Sequence, residues 1–207
     1  AAFMGIADPR ERPADAKQAA DTAHRQFADS GSEFLAVIRL WRAYRQMHEE
    51  LSQSQLRKWC ERNFLSYLRM REWRELHRQL LITARELQWP LPEWPDIEAR
   101  LQAAAQDTKA AARHYQQIHR AVLAGLPTQI GHKNDKGLYD GPRQRRFAIF
   151  PASPLAGQLP NWCLVGNLLD TQKVWGLMAA RIEPDWVIEE CGHLLSRNYH
   201  DPPWSRR

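Results

Sequence analysis

The spacing of apolar residues predicts helices over the first part of the 207-residue chain. From Ala14 to about Leu126, apolar side chains recur at intervals of three and four, as they do on one face of an α-helix. One helix is expected from about Glu33 to Leu51, with Ser32 as its capping residue. The longest periodic stretch, Phe64 to Leu87, has a charged side opposite an apolar face formed by Trp73, Leu76, Leu80, Thr83 and Leu87.

Prolines interrupt this helical pattern. Pro90, Pro92 and Pro95 predict a rigid, extended segment, because proline fixes its own backbone angle and lacks an N–H donor. The following residues, Asp96 to Ala112, are rich in alanine and polar side chains, so they are interpreted as a surface helix or a partly ordered insertion. A buried helical face returns near Tyr115 and is expected to end at Gly125.

Beyond Leu126 the apolar period changes toward two, which is typical of strands. Short strand-like runs separated by turn residues occupy Pro127–His132, Arg146–Phe150, Trp162–Leu169 and Val174–Ile182. Several short strands at this spacing predict a small barrel, and a proline in Glu183–Trp186 favours a helix start after it. The predicted fold is α+β and multidomain: a mainly helical domain over residues 1–125, then a β-barrel domain over 126–207.

Composition narrows the class of protein only modestly. The net charge is +5 at pH 7, which suits a polyanionic partner without requiring one. Cys60, Cys163 and Cys191 are far apart, which argues against a zinc site and a disulfide framework, and no histidine has a partner at metal-ligand spacing. No apolar run approaches the roughly 20 residues that span a bilayer, so the prediction is a cytoplasmic protein with no membrane partner and no metal.

Three motifs in the helical half resemble known sequences. Residues Asp8–Pro13 read Asp-Pro-Arg-Glu-Arg-Pro, and Trp59–Leu65 read Trp-Cys-Glu-Arg-Asn-Phe-Leu. Both resemble the region that follows the motor in DEAH-box RNA helicases. The third motif, Ser66–Trp73, resembles the Asn-Tyr-Leu-Arg-Val-Arg-Glu-Trp sequence of the bacterial HrpA-type branch.

Three motifs in the barrel half extend the resemblance to nearly the whole chain. Phe147–Ser153 is similar to the family's Val-x-Ile-His-Pro-Ser-Ser, Thr171–Lys173 to its Thr-Ser-Lys loop, and Glu183–Trp186 to its Arg-Pro-Glu-Trp helix start. In that family a ratchet-like helical domain is followed by an oligonucleotide-binding (OB) barrel. The resemblance therefore implies that the predicted barrel is an OB fold.

The resemblance also implies a function. The chain lacks the Gly-x-x-x-x-Gly-Lys-Ser/Thr phosphate loop and the Asp-Glu-Ala-His box, so no catalytic residues or cofactors are expected in it. It is interpreted as a post-motor accessory fragment that grips single-stranded RNA for 3′–5′ translocation and unwinding by the intact enzyme. That enzyme would use ATP and Mg²⁺, and its motor domains would be partners of this fragment.

Cations on the long helix are the first candidate contacts. Arg71, Arg74, Arg78 and Arg85 fall on one stripe at helical spacing, and Glu75 is expected to pair with Arg71 or Arg78, and Glu72 with Arg69. The pattern alone favours a solvated, salt-bridged face. The resemblance instead places the start of this helix at the RNA channel, with Arg71 at a family lysine, so the candidates for binding RNA are Arg69, Arg71 and Arg74.

The barrel supplies the second group of candidates. Basic residues crowd around the segment Asn134–Pro142, and loops of such barrels commonly bind single strands. These basic residues are explained equally well by a role in keeping the protein soluble. The resemblance adds the hairpin loop, where Gln172 replaces a family serine. The barrel candidates are Lys133, Arg143, Arg146, Thr171 and Lys173.

Two other functions compete with RNA binding. The basic faces could instead dock against the motor or another protein, in an interaction module that regulates the helicase with little RNA affinity of its own. A stand-alone hydrolase is disfavoured, because the acid pairs Glu49–Glu50 and Glu189–Glu190 are adjacent on helices and point in different directions.

Overall fold

The computed structural model describes residues 1–196, so residues 197–207 of the predicted barrel domain lie outside the described residues. A short 3₁₀ turn occupies Ala2–Gly5. The helices come next in the chain, and their bounds are α1 Lys17–Arg25, α2 Glu33–Glu50, α3 Gln53–Arg62, α4 Tyr67–Glu86, α5 Trp94–Gln106 and α6 Thr108–Gly125. The strands and a last helix follow: β1 Ile130–Lys133, β2 Tyr139–Asp140, β3 Arg146–Ile149, β4 Trp162–Asp170, β5 Val174–Arg181 and α7 Pro184–Cys191.

Side-chain caps set the ends of the helices. The Leu35 amide donates to Ser32 Oγ at 3.2 Å, which confirms Ser32 as the cap of α2. Ser52 and Gln55 form a reciprocal capping box at the start of α3. Asn63 ends α3 and donates from its side chain to the carbonyl of Trp59 at 2.8 Å. These contacts satisfy backbone groups that a helix end leaves without partners.

The five strands close into a barrel in the order β1-β2-β3-β5-β4. β3 and β5 are parallel, and the other neighbours are antiparallel. The long hairpin of β4 and β5 runs from the Cys163–Arg181 pair to the Asp170–Val174 pair. Gly176 allows this closure, since a Cβ there would lie 2.7 Å from a methyl carbon of Val165. The barrel interior is filled by Tyr139, Phe147, Cys163, Val165 and Ala179.

The N-terminal segment is bound into the helical core. Phe3 packs edge-on against Trp73 with ring centroids 5.0 Å apart. The amide of Glu11 donates to the carbonyl of Phe64, and the amide of Ser66 donates to the carbonyl of Pro9, both at 2.8 Å. Phe64 adopts a left-handed backbone with φ of 51°, so two of the predicted family motifs meet at a strained turn.

The helical half and the barrel share a hydrophobic core. Phe34 of α2 and Leu123 of α6 are buried together with Leu164 and Ile182 of the barrel side. A β-bridge joins Ser32 to Ala180, next to the hydrogen bond from the Arg181 amide to the Gly31 carbonyl at 3.0 Å. The expected helical domain with an OB-type barrel is confirmed as a fold class. The division at residues 125 and 126 stays a prediction.

Several local expectations are wrong. β2 falls in a segment predicted as a loop, because a two-residue strand carries no detectable period. Pro95 lies in the first turn of α5 rather than in the extended segment. The expected end of α6 at Gly125 is confirmed, although Gly125 is the last helical residue and not a left-handed residue beyond the helix. On α4 the predicted apolar face is buried at Trp73, but Leu87 is 57% exposed. No helix within residues 1–196 combines the length and apolar character that crossing a membrane requires.

Candidate nucleic-acid interface

A cleft of about 750 Å³ separates the helical half from the barrel, and we call it the helix–barrel cleft. One wall comes from the N-terminal segment, α1 and α2, and the other comes from β4, β5 and the turn after β3. The cations on the first wall are Arg10, Arg12 and Arg25, and the second wall includes Phe150 and Ser153. The cleft therefore brings the motifs Asp8–Pro13 and Phe147–Ser153 to opposite sides of one opening.

The Asp-Pro-Arg turn positions the first wall. Asp8 accepts from the backbone amide of Arg10 and from its guanidinium, with the shortest contact at 2.6 Å. Burial lowers the pKa of Arg10, but its hydrogen bonds to Asp8 and the charges of Asp8 and Glu33 outweigh burial, so that the pKa is raised above its ordinary value. Arg69 Nη1 donates to the Asp8 carbonyl at 2.7 Å. Arg69 thus supports this turn instead of pairing with Glu72.

The Glu33 carboxylate fixes the second wall to the first. Its Oε2 atom accepts from Ser153 Oγ at 2.6 Å and from the Ala179 amide at 2.8 Å. Because Glu33 begins α2, its negative charge is also favourable beside the positive end of that helix. A single carboxylate therefore holds α2, the turn after β3, and β5 together at the base of the cleft.

The cations of α4 differ in what they contact. Arg78 pairs with Glu75 at 2.6 Å, as predicted for one of the two possible partners. Arg71 and Arg74 are exposed, and no carboxylate within residues 1–196 pairs with either of them. The guanidinium of Arg71 lies 6.0 Å from the ring centre of Tyr67. Arg71 and Arg74 are therefore available to an external anion.

The cations of the barrel divide in the same way. Arg146 pairs with Asp140 at 2.8 Å, and hydrogen bonds from Asn134 and then Arg146 hold the pKa of Asp140 below its ordinary value. Lys133 Nζ donates to the Leu159 carbonyl at 3.1 Å and is half-buried. Arg143 is exposed in the β2–β3 loop, and none of the described carboxylates contacts it.

The tip of the β4–β5 hairpin holds Thr171 and Lys173. Thr171 Oγ1 donates to the Lys173 carbonyl at 2.9 Å, so the hydroxyl shapes the turn. The Lys173 side chain is exposed and makes no ion pair with a described residue. Nearby, Phe150 is 39% exposed and meets Trp175 edge-on, with ring centroids 5.9 Å apart. An exposed aromatic ring next to cations can stack a base.

The eight predicted contact residues thus form two groups. Four have partners inside the protein: Arg69, Lys133, Arg146 and Thr171. The other four are exposed without an ion pair to any described residue: Arg71, Arg74, Arg143 and Lys173. RNA binding by either group stays a prediction.

Sequence reasoning missed the residues that line the helix–barrel cleft. Arg10 and Arg12 lie in the first family motif, and Phe150 lies in the barrel motif. The resemblance in these two motifs predicted the family but assigned no RNA contact to their side chains. The signal for these three residues was therefore present in the sequence.

A buried polar junction joins α6 to the start of α2. His119 Nδ1 is 2.6 Å from the Tyr115 carbonyl, which can only accept, so Nδ1 carries the proton. Nε2 then accepts from Ser32 Oγ at 2.6 Å, while Ser32 itself accepts from the Leu35 amide. Burial lowers the pKa of His119 to about 4, so the ring is neutral at pH 7.

The described residues present no recognisable catalytic arrangement. No group of three or more metal-ligating side chains occurs within residues 1–196. Burial raises the pKa of the Cys60 thiol to about 12 and raises those of Cys163 and Cys191, which disfavours the nucleophilic thiolate.

Comparison with known sequences identifies the family. Residues 118–194 match the family described as an oligonucleotide/oligosaccharide-binding (OB) fold, in agreement with the barrel. The ATP-dependent RNA helicase HrpA of Escherichia coli strain K12 and the ATP-dependent RNA helicase HrpA homolog of Haemophilus influenzae are each 40% identical over 204 residues, or 98% of this chain. The chain spans 14% of the length of each relative. The near-complete match and the OB fold show that the chain is a C-terminal helicase region of the HrpA type.

Proposed function

We propose that this accessory region binds single-stranded RNA across α4 and the barrel. The observation that carries the proposal is the set of exposed cations without described ion-pair partners, Arg71 and Arg74 on α4, and Arg143 and Lys173 on the barrel. Phosphates release counterions when they bind such side chains, which makes this kind of contact favourable and independent of sequence. The OB fold and the RNA helicase relatives support the same partner.

The helix–barrel cleft offers a path for the strand. Arg10, Arg12 and Arg25 line one wall, where Asp8 pairs with Arg10 and Asp21 pairs with Arg12, and the partly exposed Phe150 lines the other wall. A phosphate beside Arg25, which makes no ion pair with a described residue, would leave bases free to stack on Phe150. Because Glu33 fixes both walls, the strand would meet a surface that is already formed.

In the intact helicase, this region would keep hold of the strand while the motor moves along it in the 3′–5′ direction. ATP and Mg²⁺ would bind to motor domains of the same polypeptide, outside this chain. The region would supply grip and position, and the motor would supply hydrolysis. RNA and the motor are therefore its two proposed partners.

The proposal predicts that charge reversal on α4 or at the tip of the β4–β5 hairpin weakens RNA binding. Arg71→Glu and Lys173→Glu should each reduce affinity for a labelled single-stranded RNA. Each should also reduce the slope of log affinity against log salt by about 1 for every phosphate that the variant no longer binds. Fluorescence anisotropy at several salt concentrations measures both quantities.

Arg78→Glu is the matched control, because Arg78 is exposed on the same helix but already pairs with Glu75. It should alter RNA affinity far less than Arg71→Glu. Equal reductions in affinity for the two variants would indicate a general effect of net charge and would contradict a specific phosphate contact.

A docking role is the second candidate, and the apolar surface of α4 favours it. Leu80 and Leu87, which belong to the face predicted as apolar, are 41% and 57% exposed, and Trp89 just beyond the helix is 62% exposed. A protein partner such as the motor would remove these side chains from water. Absence of RNA binding at low salt would favour this role over the first.

A further inference from the structure

Three side chains form a row across the barrel wall of the helix–barrel cleft. Ile149 pairs with Gly176 in the parallel ladder of β3 and β5. The next residues on these two strands, Phe150 and Leu177, are therefore neighbours. Leu177 pairs in turn with Asn167 of β4, and all three residues line the cleft. We call Phe150, Leu177 and Asn167 the cleft row.

A kink in the hairpin turns this row toward the cleft. Side chains of a regular strand alternate between two faces, so residues three apart lie on opposite faces. Val165 and Leu168 of β4 are three apart, yet both pack in the barrel interior. The alternation shifts between them, opposite Met178 of β5, whose left-handed backbone has φ of 55°. The shift leaves Asn167 facing the cleft. Such a backbone is costly for a residue other than glycine, and these outliers concentrate at binding sites.

The charges along the cleft balance one another. The arginines and carboxylates that line it are Asp8, Arg10, Arg12, Asp21, Arg25 and Glu33. Asp8 pairs with Arg10, and Asp21 pairs with Arg12. Arg25 makes no ion pair with a described residue, and the negative charge of Glu33 offsets it for the cleft as a whole. A run of phosphates is therefore better bound by the exposed cations of α4 and the hairpin tip than inside the cleft.

The uncharged part of a nucleotide suits the rest of the cleft. Most of the other lining side chains are apolar, including Phe27, Val37 and Leu40. The volume of about 750 Å³ is within the range of roughly 300–1,000 Å³ that is typical of sites for small organic groups. Such sites combine an apolar lining with a few polar groups. A nucleobase matches this lining, because its faces stack on aromatic rings and its edges form hydrogen bonds.

We propose that the cleft row binds one nucleobase of a single-stranded RNA. Phe150, which is 39% exposed, stacks on the base, and Leu177 supplies apolar contact. Asn167 is exposed and its amide group has no hydrogen bond to a described residue, so it is available to the edge of the base. The site rests on the proposed RNA-binding function and adds a base contact to the phosphate contacts.

The spacing along the barrel allows this contact. Neighbouring strands are about 4.8 Å apart, so the backbones of Phe150 and Asn167 are separated by roughly 10 Å, which one base and the two side chains can span together. Lys173 lies four residues from Leu177 along β5, or roughly 13 Å. A strand held at the hairpin tip can thus place a base on the cleft row. The Asn167 amide has donors and an acceptor, so purines and pyrimidines should both bind.

Strands with and without bases test the cleft row. The unmodified chain should bind oligouridine and oligoadenosine about tenfold more tightly than an oligoribonucleotide of equal length that carries abasic residues. Phe150→Leu should lose most of this difference, and Asn167→Ala should lose about threefold to tenfold in affinity for the strands with bases. Neither variant should change the slope of log affinity against log salt, because neither removes a phosphate contact.

Asn161→Ala is the matched control, since Asn161 is an exposed asparagine just before β4 that does not line the cleft. It should bind every strand as the unmodified chain does. Arg71→Glu provides the contrast, because it should reduce the salt slope and weaken binding of abasic and base-containing strands alike. A preference for bases that survives in both Phe150→Leu and Asn167→Ala would overturn the assignment.

Nucleosides separate this proposal from the broader one, because they carry no phosphate. Adenosine and cytidine should each shift the side-chain amide signals of Asn167 in the ¹⁵N-labelled chain, and should leave those of Asn161 in place. Salt-sensitive strand binding that leaves the Asn167 signals unchanged would contradict the base site alone. Nucleoside shifts at Asn167 without any strand binding at low salt would instead contradict the broader RNA-binding function.

Discussion

His119 shows how one residue couples pH to the stability of the fold. The neutral ring accepts from Ser32 through Nε2 and donates to the Tyr115 carbonyl through Nδ1. Protonation of the ring would add a hydrogen to Nε2, so that Nε2 and the Ser32 hydroxyl would both be donors and their present hydrogen bond would be lost. The ring is also stacked on Tyr115 with centroids 3.9 Å apart, so it has little freedom to find another acceptor.

Stability should therefore fall between pH 6.5 and about 4. The pKa of His119 is lowered from 6.5 to about 4 in the folded state, so the unfolded chain binds more protons in this range. The stability that depends on the neutral His119 ring is fully present above pH 6.5 and is lost as the pH falls. The loss in the free energy of unfolding is roughly 3 kcal/mol at most. Denaturant unfolding of the unmodified chain and His119→Asn at several pH values measures it.

Other buried histidines also make stability fall at low pH, so the effect of His119 must be measured by comparison with a control variant. Burial also lowers the pKa values of His77 and His114. The exposed His193 provides the control variant, His193→Asn. If His119→Asn retained the full pH dependence of the unmodified chain, the buried ring would not be its source.

The residue scale also shows the limit of sequence reasoning. The basic side chains could be identified by type and spacing, but their partners could not. Arg69 was expected beside Glu72, yet it donates to the Asp8 carbonyl, 61 positions earlier in the chain. A backbone carbonyl leaves no compositional signal, whereas the Glu75–Arg78 pair is only three residues apart and was predicted.

At the scale of elements, α5 is a helix with few contacts to the rest of the protein. It has no buried residue, it follows the proline-containing segment, and Asp107 separates it from α6. Besides its packing on α6, α5 is attached to α2 by the Arg42–Glu98 ion pair and by Arg45, whose guanidinium lies 3.9 Å from the ring centre of Trp94. The alanine-rich composition predicted a surface helix or an insertion, and the structure contains a surface helix.

Arg45→Ala should loosen α5 without unfolding the protein. The change removes a cation–π contact worth about 0.5–1 kcal/mol at an exposed site. Hydrogen exchange should accelerate for the amides of residues 94–106, while those of α2 remain protected. Arg39→Ala serves as a control, since Arg39 contacts Asp29 instead of α5. Equal acceleration throughout the chain would contradict a local attachment.

Helices were easier to predict than strands for a physical reason. α2 and α4 each span many turns, so their apolar period repeats often enough to be read. The two residues of β2 bury only Tyr139, and their pairing depends on β1 and β3. The exposure of Leu87 could not be read from the period either, because periodicity identifies a face but not what covers it.

For the whole molecule, Glu33 is the contact that most directly joins the two halves. Its carboxylate accepts from Ser153 and from the Ala179 amide, which are 120 and 146 positions away. No local pattern could predict this pairing, although Glu33 and Ser153 both lie in segments whose elements were correctly expected. The shared core of Phe34, Leu123 and Leu164 reinforces it.

Glu33→Ala should lower the free energy of unfolding by about 1–3 kcal/mol, because the Ser153 hydroxyl and the Ala179 amide lose their acceptor. Chemical unfolding followed by far-ultraviolet circular dichroism and by tryptophan fluorescence measures the decrease in stability and its cooperativity. Glu49→Ala is the control, since Glu49 makes only an i,i+4 pair with Arg45. An equal, small effect of both variants would contradict the joining role of Glu33.

The β-bridge between Ser32 and Ala180 has a mechanical consequence. It stands beside the Arg181–Gly31 hydrogen bond, so β5 is attached to the residues that begin α2. A force that pulls the barrel away from the helices must load these bonds together with the Glu33 contacts, rather than extend a slack linker. We therefore expect the two halves to move as one body under such a load.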